Sequence, residues 1–159
     1  MSQDIGQRKA HHLDLCGTDD VAFRGKTTLL DEVDLLHNSF PEVDVDGLEL
    51  RGEVLGKVLK APIIIASMSG GTQAAVAFNK DLAQVAEEAG IGMGLGSMRP
   101  LIVPGRLTDG FFLRDIAPSI LLMANIGIVQ AKDLSNEALR DLATQVGADA
   151  FIRHLNPAQ

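Results

Sequence analysis

An α/β fold with a parallel sheet, forming part of a TIM-type (β/α)8 barrel, is the fold class that the sequence predicts. Short apolar segments alternate with helical patterns from residue 62 onward. The predicted strands begin near Ile63, Ile91, Ile120 and Ala150, so successive starts are 28, 29 and 30 residues apart. A barrel unit has roughly 31 residues. Strand–helix alternation at this spacing indicates βαβ units, and there are about four of them.

Residues 1–61 precede the regular region and are expected to form an N-terminal extension with a small hairpin. Residues 1–27 are polar and mixed, and Gly6, Gly17 and Gly25 interrupt them, which predicts a loop with at most a short helix around 8–15. The apolar positions in 28–36 fit a helix or an extended stretch, and length does not decide between them. Residues 53–59 place a glycine between two apolar pairs, which predicts the hairpin.

Four apolar segments predict the strands of the sheet. In chain order they are PIIIAS at 62–67, IGMGLGS at 91–97, SILLMANIG at 119–127 and ADAFIRHLN at 148–156. Continuous apolar runs of this kind fit strands buried in a parallel sheet. Residues 62–159 are therefore expected to be the first half of a barrel. Because the pattern stops just after the fourth strand, the chain is expected to be a portion of something longer.

Three helices are predicted between these strands. Residues 75–89 carry apolar side chains at three- and four-residue spacing, and a glycine follows them as a stop. A second helix is expected over 106–117, since Pro118 would end it. The third would begin after an N-capping Ser135 and end at Gly147.

Composition and charge argue against several classes of partner. Hydrophobic residues make up 46% and charged residues 22% of the 159 residues, which is an ordinary globular mixture. The net charge of −7 belongs to residues 1–50, where 4 basic residues face 11 acidic ones. An acidic chain without Trp or Tyr argues against nucleic acid. No apolar run in the sequence reaches a membrane span, and no signal segment is recognisable, so a cytoplasmic location is expected.

Polar side chains follow each predicted strand at its carboxyl end. They are Ser67 and Ser69 after the first strand, which flank Met68. They continue with Ser97 and Arg99 after the second strand, Asn125 at the third, and His154, Asn156 and Gln159 at the fourth. In a barrel the carboxyl ends of all strands share one face, and that face holds the active site. We therefore expect these separate patches to converge.

Two glycine-rich stretches lie beside these residues. Residues 69–72 would let an anion approach backbone N–H groups, although a plain tight turn fits equally well. Gly92, Gly94 and Gly96 alternate along a strand, and Ser97 stands where a dinucleotide-binding loop needs its third glycine. The glycine face would either leave room for a large flat group or pack closely against a neighbour.

The candidate anion ligands are cationic side chains. Arg99 follows a strand, and its guanidinium could bind a phosphate or diphosphate as a fork, although a surface role fits as well. Arg8, Lys9, His11 and His12 form the basic cluster of an otherwise acidic segment. Such a cluster suits an anionic ligand, the alternative being a solvated terminus. No spacing of His and Cys in the sequence indicates zinc.

Six segments carry a family resemblance. They are RKAHH at 8–12, LHNSFPEVD at 36–44, LGKVLKAPIIIASMSGGT at 55–72, NKDLAQVAEEAGIGMGLGSMR at 79–99, APSILLMANIG at 117–127 and HLNPAQ at 154–159. In this combination the chain resembles the N-terminal portion of the type 2 isopentenyl-diphosphate isomerases, which are FMN-dependent barrel enzymes. The combination of M-[ST]-G-G, G-S-x-R and H-L-N-x-x-Q is specific to that family.

The resemblance implies a reaction of isoprenoid biosynthesis. Isopentenyl diphosphate is converted to dimethylallyl diphosphate with reduced FMN, with NADPH as the reductant of the flavin, and with Mg²⁺. The double bond moves when one carbon gains a proton and another loses one, so there is no net redox change. An electron-rich reduced flavin can supply the acid and stabilise the developing positive charge. The implied partners are a small-molecule diphosphate and further copies of the chain, with neither nucleic acid nor membrane.

The resemblance also implies site residues. The implied flavin contacts are Met68, Ser69, Gly70, Ser97 and Asn125. The implied substrate contacts, mostly around the diphosphate, are Arg8, Lys9, His12, Ser97, Arg99, His154, Asn156 and Gln159. Cations together with hydroxyl and amide donors suit a group with many acceptor oxygens. No side chain is assigned a catalytic role, because the resemblance gives that role to the reduced flavin. The family's magnesium-binding Glu would directly follow Gln159, so no metal ligand is expected in this chain.

Two other interpretations stay open at this point. An FMN-dependent barrel oxidoreductase of the 2-hydroxyacid oxidase type would share the pattern of the first strand, although Arg8, Lys9 and HLNPAQ argue against it. A non-catalytic half-barrel is the other, since its open sheet would expose two strand edges. Residues 1–159 alone are expected to be inactive, because four strands leave a barrel unclosed and the later flavin and metal ligands are missing.

Overall fold

The fold is described from a computed structural model, which describes residues 11, 14–18, 21–68 and 70–156. It contains an antiparallel hairpin, β1 (Gly52–Val54) and β2 (Lys57–Leu59), and a sheet of β3 (Ile64–Ile65), β4 (Gly92–Gly94), β5 (Leu122–Gly127) and β6 (Ala150–His154). Each strand of the sheet pairs in parallel with the next one in chain order. The predicted α/β class with a parallel sheet is thus confirmed.

Within residues 21–68 and 70–156 the helices are α1 (Gln73–Ala89), α2 (Ile128–Ala131) and α3 (Asn136–Gln145), and residues 11 and 14–16 are helical as well. The hydroxyl of Thr72 accepts a hydrogen bond from the N–H of Ala75 and begins α1, and Gly90 follows α1 with a φ of 64°. Ser135 caps α3 in the same way, as predicted. Local capping residues therefore determine both long helices, and both predictions are confirmed. The single turn of α2 directly after β5 was not anticipated.

The helix predicted over 106–117 is wrong. Two short 3-10 turns, Arg99–Ile102 and Asp109–Phe111, lie between β4 and β5 instead. The cause is a close contact with α1. The carbonyl of Gly110 accepts a buried hydrogen bond of 3.0 Å from the Asn79 side chain, and a Cβ added at Gly110 would lie 3.1 Å from Cα of Val76. The fixed approach of this backbone to α1 overrides the weak local helix pattern.

The predicted hairpin is confirmed. Leu55 and Gly56 connect its strands with positive φ angles of 52° and 78°, the backbone conformation of the tightest hairpin turns. The side chain of Leu59 is buried, and the N–H of Lys60 donates to the carbonyl of Gly90 at 2.8 Å. The hairpin is therefore joined to the end of α1.

The acidic extension shows almost no regular structure. Residues 21–50 contain two 3-10 turns, Leu30–Glu32 and Val45–Gly47, and every one of these residues is exposed. Neither the helix nor the extended strand considered for 28–36 forms, because this segment buries no apolar face against the rest of the described chain. None of the helices in the described ranges has the length and apolar character needed to cross a membrane.

The two faces of the parallel sheet differ in burial. One face packs Met93, Leu95 and Leu122 against α1 and α3 in the main hydrophobic core. The strand register places Ile64, Met123 and Ile152 on the opposite face. Ile64 is 40% exposed there, and the other two are half-buried. The expected full burial of the first strand is therefore wrong, and the sheet carries an apolar face that is open in this chain.

A polar network lies at the amino ends of the strands of the parallel sheet. Arg114 donates to the carbonyls of Ala117, Pro118, Ile120 and Gly147 and to Oδ2 of Asp149 at 2.6 Å. Lys57 of β2 lies 3.2 Å from Oδ1 of Asp149. The hydroxyl of Ser119 donates to Glu87 at the end of α1, at 2.5 Å. We call these five side chains (Lys57, Glu87, Arg114, Ser119, Asp149) the amino-end network, since they connect the hairpin, α1, β5 and β6.

Both carboxylates of the amino-end network are stabilised in their charged form. Burial by itself would raise the pKa of Asp149. Hydrogen bonds from the N–H of Leu122, from Arg114 and from Lys57 outweigh that effect and lower the pKa below its ordinary value. The hydroxyl of Ser119, followed by the backbone N–H groups of Ser119 and Ile120, lowers the pKa of Glu87.

We predict that Asp149 makes the fold sensitive to acid. Because its folded pKa is lowered, the carboxylate contributes stability that is fully present above its unfolded pKa of about 4 and is lost as the pH falls through the folded pKa. Urea unfolding of wild type and of Asp149→Asn should therefore differ most at neutral pH, by about 1–3 kcal/mol. The difference should shrink below pH 4. A difference that stays constant down to pH 2 would contradict the prediction.

Candidate functional site

The carboxyl ends of β4, β5 and β6 meet at one buried amide. Asn125 of β5 is 5% exposed, and its Oδ1 lies 2.7 Å from Nδ1 of His154 at the end of β6. The backbone carbonyl of Asn125 accepts a hydrogen bond of 2.7 Å from the N–H of Met98, in the loop that follows β4. Three of the four predicted polar patches are therefore brought together, as the parallel strand order requires.

The end of β3 lies directly against β4. The hydroxyl oxygen of Ser67 is buried and has no hydrogen-bond partner in the described part of the chain. A Cβ added at Gly94 would overlap this oxygen and lie 3.2 Å from the N of Ser67, and one at Gly92 would lie 3.0 Å from the side chain of Ile64. Of the two interpretations of the glycine face, close packing against a neighbour is confirmed at these two positions.

Gly94→Ala should therefore strain the contact between β3 and β4. The added methyl group overlaps the Ser67 hydroxyl, which predicts a loss of about 1–3 kcal/mol in the free energy of unfolding. Gly25→Ala is the matched control, because nothing lies within 4 Å of a Cβ at that position. Adding Ser67→Ala to Gly94→Ala should restore part of the stability. Equal stability of Gly94→Ala and Gly25→Ala would show that the contact is not tight.

The remaining described site residues surround this core. Met68 follows β3 and is 45% exposed, whereas Gly70 is buried. Ser97 and Arg99 lie in the segment after β4 and are half-buried, as is Asn156 beyond β6. Within the described ranges, no carboxylate lies at ion-pair distance from Arg99. Its guanidinium is thus not neutralised by a described acidic side chain.

Five predicted site residues lie outside the described residues, namely Arg8, Lys9, His12, Ser69 and Gln159. The convergence of the basic N-terminal cluster with the strand ends therefore stays a prediction. So does the contact of the 69–72 turn with an anion.

Sequence reasoning missed one functional neighbour of His154. Gly127 pairs with His154 in the register of β5 and β6. A Cβ added at Gly127 would lie 2.9 Å from Nε2 of His154 and would also overlap the side-chain oxygen of Gln130. The glycine therefore provides the space in which the imidazole lies. Gly127 lies two residues after Asn125, which was visible in the sequence. The sequence did not indicate how β5 and β6 are aligned.

The converging groups can bind an anion or hydrogen-bond to the polar edge of a ring in a ligand. They offer a hydroxyl, an amide, an imidazole and a guanidinium. Among the residues that the structure describes, no three His, Cys, Asp or Glu side chains form a group that could hold a metal ion. A cavity of about 340 Å³ lies elsewhere, between α3 and the outer side of β6, where Leu139, Arg140 and Phe151 line it.

Comparison with known proteins identifies relatives named isopentenyl-diphosphate delta-isomerase. The chain is 40% identical to the isopentenyl-diphosphate delta-isomerase of Nostoc sp., over 99% of this chain and 45% of that protein. It is 42% identical to the protein of this name from Rickettsia felis, over 96% of this chain and 44% of that protein. For Oceanobacillus iheyensis the identity is 36%, over 100% of this chain and 46% of that protein.

The chain thus spans a little under half the length of these relatives. No family model matches it. The matches nevertheless run through the whole chain, and they confirm the resemblance seen in the sequence segments. This chain is therefore a homologue of the N-terminal portion of proteins named isopentenyl-diphosphate delta-isomerase.

Proposed function

We propose that the complete protein is a type 2 isopentenyl-diphosphate isomerase of isoprenoid biosynthesis, and that this chain supplies the first half of its flavin-binding barrel. The observation that carries the proposal is the sequence identity of about 40% to isomerases over nearly the whole chain. The convergence of Asn125 and His154 at the strand ends supports it. The activity, the substrate and the partners belong to the complete protein.

The proposed barrel accounts for the open face of the sheet. The four parallel strands leave β3 and β6 as edges within the described chain, and the face with Ile64, Met123 and Ile152 is apolar and partly exposed. Parallel sheets are normally covered on both faces, and barrel closure removes both edges. We accordingly assign residues 1–61 to an N-terminal extension and residues 62–159 to the first half of the barrel.

The described residues fit FMN. The buried, unpartnered hydroxyl of Ser67, the exposed thioether of Met68 and the buried amide of Asn125 lie at the strand ends. This combination suits a group with an apolar ring face and a polar edge. Met68, Ser69, Gly70, Ser97 and Asn125 would hold it. When bound and reduced, FMN would supply an electron-rich group for proton transfer at the alkene.

The cationic side chains would bind the diphosphate. Arg99 has no described carboxylate partner, and His154 and Asn156 lie at the end of β6. These three, together with Arg8, Lys9, His12, Ser97 and Gln159, would donate to the phosphate oxygens. Binding of the diphosphate at one end of the substrate would orient the alkene at the other. Mg²⁺ would complete the neutralisation of charge, held by a Glu that follows Gln159 in the family.

We further propose that the complete protein is a cytoplasmic homo-oligomer with NADPH as the reductant of its flavin, and that it uses neither nucleic acid nor a membrane. The test of function is conversion of isopentenyl diphosphate by the complete protein with FMN, NADPH and Mg²⁺, followed by NMR of the product. Dimethylallyl diphosphate is expected. Oxidation of a 2-hydroxy acid without isomerisation would favour the oxidoreductase, and turnover by residues 1–159 alone would overturn the half-barrel assignment.

A further inference from the structure

We propose that Asn125 and Gly127 form a seat that fixes the ring of His154 with a proton on Nδ1 and the lone pair on Nε2. Asn125 is then a positioning residue that acts through His154, in addition to any contact with the cofactor. The identity of the ligand as a diphosphate rests on the proposed function, whereas the seat itself rests on geometry.

The hydrogen bond determines the tautomer. Oδ1 of Asn125 can only accept, so its 2.7 Å contact with Nδ1 of His154 is a hydrogen bond in the tautomer that carries the proton on Nδ1. In a neutral imidazole, the nitrogen that carries the proton is set by the hydrogen bond that it makes. Nε2 therefore carries the lone pair in the neutral ring, and the donation to phosphate oxygens proposed above requires a ring that has taken up a second proton.

The backbone that carries the acceptor is held without any ligand. Asn125 is 5% exposed, and its backbone carbonyl accepts a hydrogen bond of 2.7 Å from the N–H of Met98. Strands β5 and β6 are paired from Met123 to Gly127, so the backbones that carry the amide and the ring cannot move independently. A supporting contact that locks the orientation of a functional side chain in advance is what a precise site requires.

Gly127 supplies the space for the ring. Asn125 and Gly127 lie two residues apart on β5 and therefore on the same face of the sheet. A Cβ at Gly127 would approach Nε2 of His154 to 2.9 Å. The ring thus lies over Gly127, on the face of the sheet that α1 and α3 leave open, with Nε2 above Gly127 and beside the side chain of Gln130.

The tautomer is measurable by ¹⁵N NMR of histidine in the complete protein without ligand, with the His154 signal assigned from the spectrum of His154→Gln. Wild type and Asn125→Asp should show Nδ1–H, because both offer an acceptor oxygen. Asn125→Ala and Gly127→Ala should lose that form. Nε2–H in wild type, or retention of Nδ1–H in Asn125→Ala, would overturn the seat. Asn125→Asp keeps the volume of the amide, so it is expected to fold even if Asn125→Ala does not.

Kinetics provides the second measurement. Asn125→Ala should lower kcat/KM for isopentenyl diphosphate, per bound flavin, by roughly 2- to 10-fold, the value of one ordinary hydrogen bond. His154→Gln should retain more activity than His154→Asn, because glutamine places its amide near the position of Nε2. The reverse order would contradict the seat. If no isomerisation is found at all, the proposed function fails, and the tautomer measurement still decides whether the seat exists.

Discussion

Arg114→Ala is expected to lower the free energy of unfolding by about 2–4 kcal/mol. The guanidinium donates to four backbone carbonyls and to Asp149, and its side chain is 23% exposed. Its removal takes a donor from each of these carbonyls and leaves Asp149 with only the N–H of Leu122 and the ammonium group of Lys57. Because these groups belong to the segments that lead into β5 and β6, the whole sheet should lose stability. Urea unfolding followed by circular dichroism measures the effect.

Two further variants make this prediction specific. Arg140→Ala on α3 removes an exposed arginine whose backbone carbonyl accepts the hydroxyl of Thr144. It should change the stability by no more than about 0.5 kcal/mol. Arg114→Lys keeps the charge beside Asp149 but lacks the planar fork, so it should give an intermediate loss. Equal losses for Arg114→Ala and Arg140→Ala would show that the amino-end network contributes nothing particular.

Arg99→Ala in the complete protein is expected to reduce kcat/KM for isopentenyl diphosphate by roughly 10- to 150-fold. This corresponds to the loss of one charge-assisted hydrogen bond of about 1.5–3 kcal/mol to the diphosphate. Arg99 begins the 3-10 turn after β4, two residues beyond Ser97. The turn would place its guanidinium farther from the flavin than the Ser97 hydroxyl. Bound FMN should therefore be retained.

Measuring substrate use and FMN retention on the same Arg99 variants decides whether Arg99 binds the substrate or the cofactor. Arg99→Lys should recover part of the activity, since the charge remains while the bidentate geometry is lost. Steady-state kinetics and flavin absorbance are measured on the same preparations. Loss of FMN from Arg99→Ala with an unchanged KM would place Arg99 at the cofactor and remove it from the substrate site.

The parts of the fold that were predictable are those determined by local chemistry. The helix ends are set by neighbouring residues, which are Thr72 and Gly90 for α1 and Ser135 for α3. The hairpin is likewise set by the turn at Gly56. The helix expected over 106–117 failed because its conformation depends on α1, about 30 residues earlier. Sequence periodicity contains no information about such a contact.

The candidate site also has a part that was predictable from the sequence and a part that was not. Strand order alone brought Asn125 and His154 to one edge, so their proximity was predictable from the βαβ pattern. Their hydrogen bond and the role of Gly127 depend on the register between β5 and β6, which the sequence does not reveal. The amino-end network was not predicted either, since Arg114 takes its partners from separate segments that meet only in the folded chain.

We expect the complete protein to perform isomerisation with a reduced flavin. The most direct measurement is the anaerobic rate of conversion of isopentenyl diphosphate, with Mg²⁺, by matched samples containing no flavin, oxidised FMN or FMN reduced with NADPH. We predict turnover only in the sample with reduced FMN, and no net consumption of NADPH once the flavin is reduced. Equal rates in the oxidised and reduced samples, or turnover without flavin, would contradict a role of the reduced flavin in the reaction.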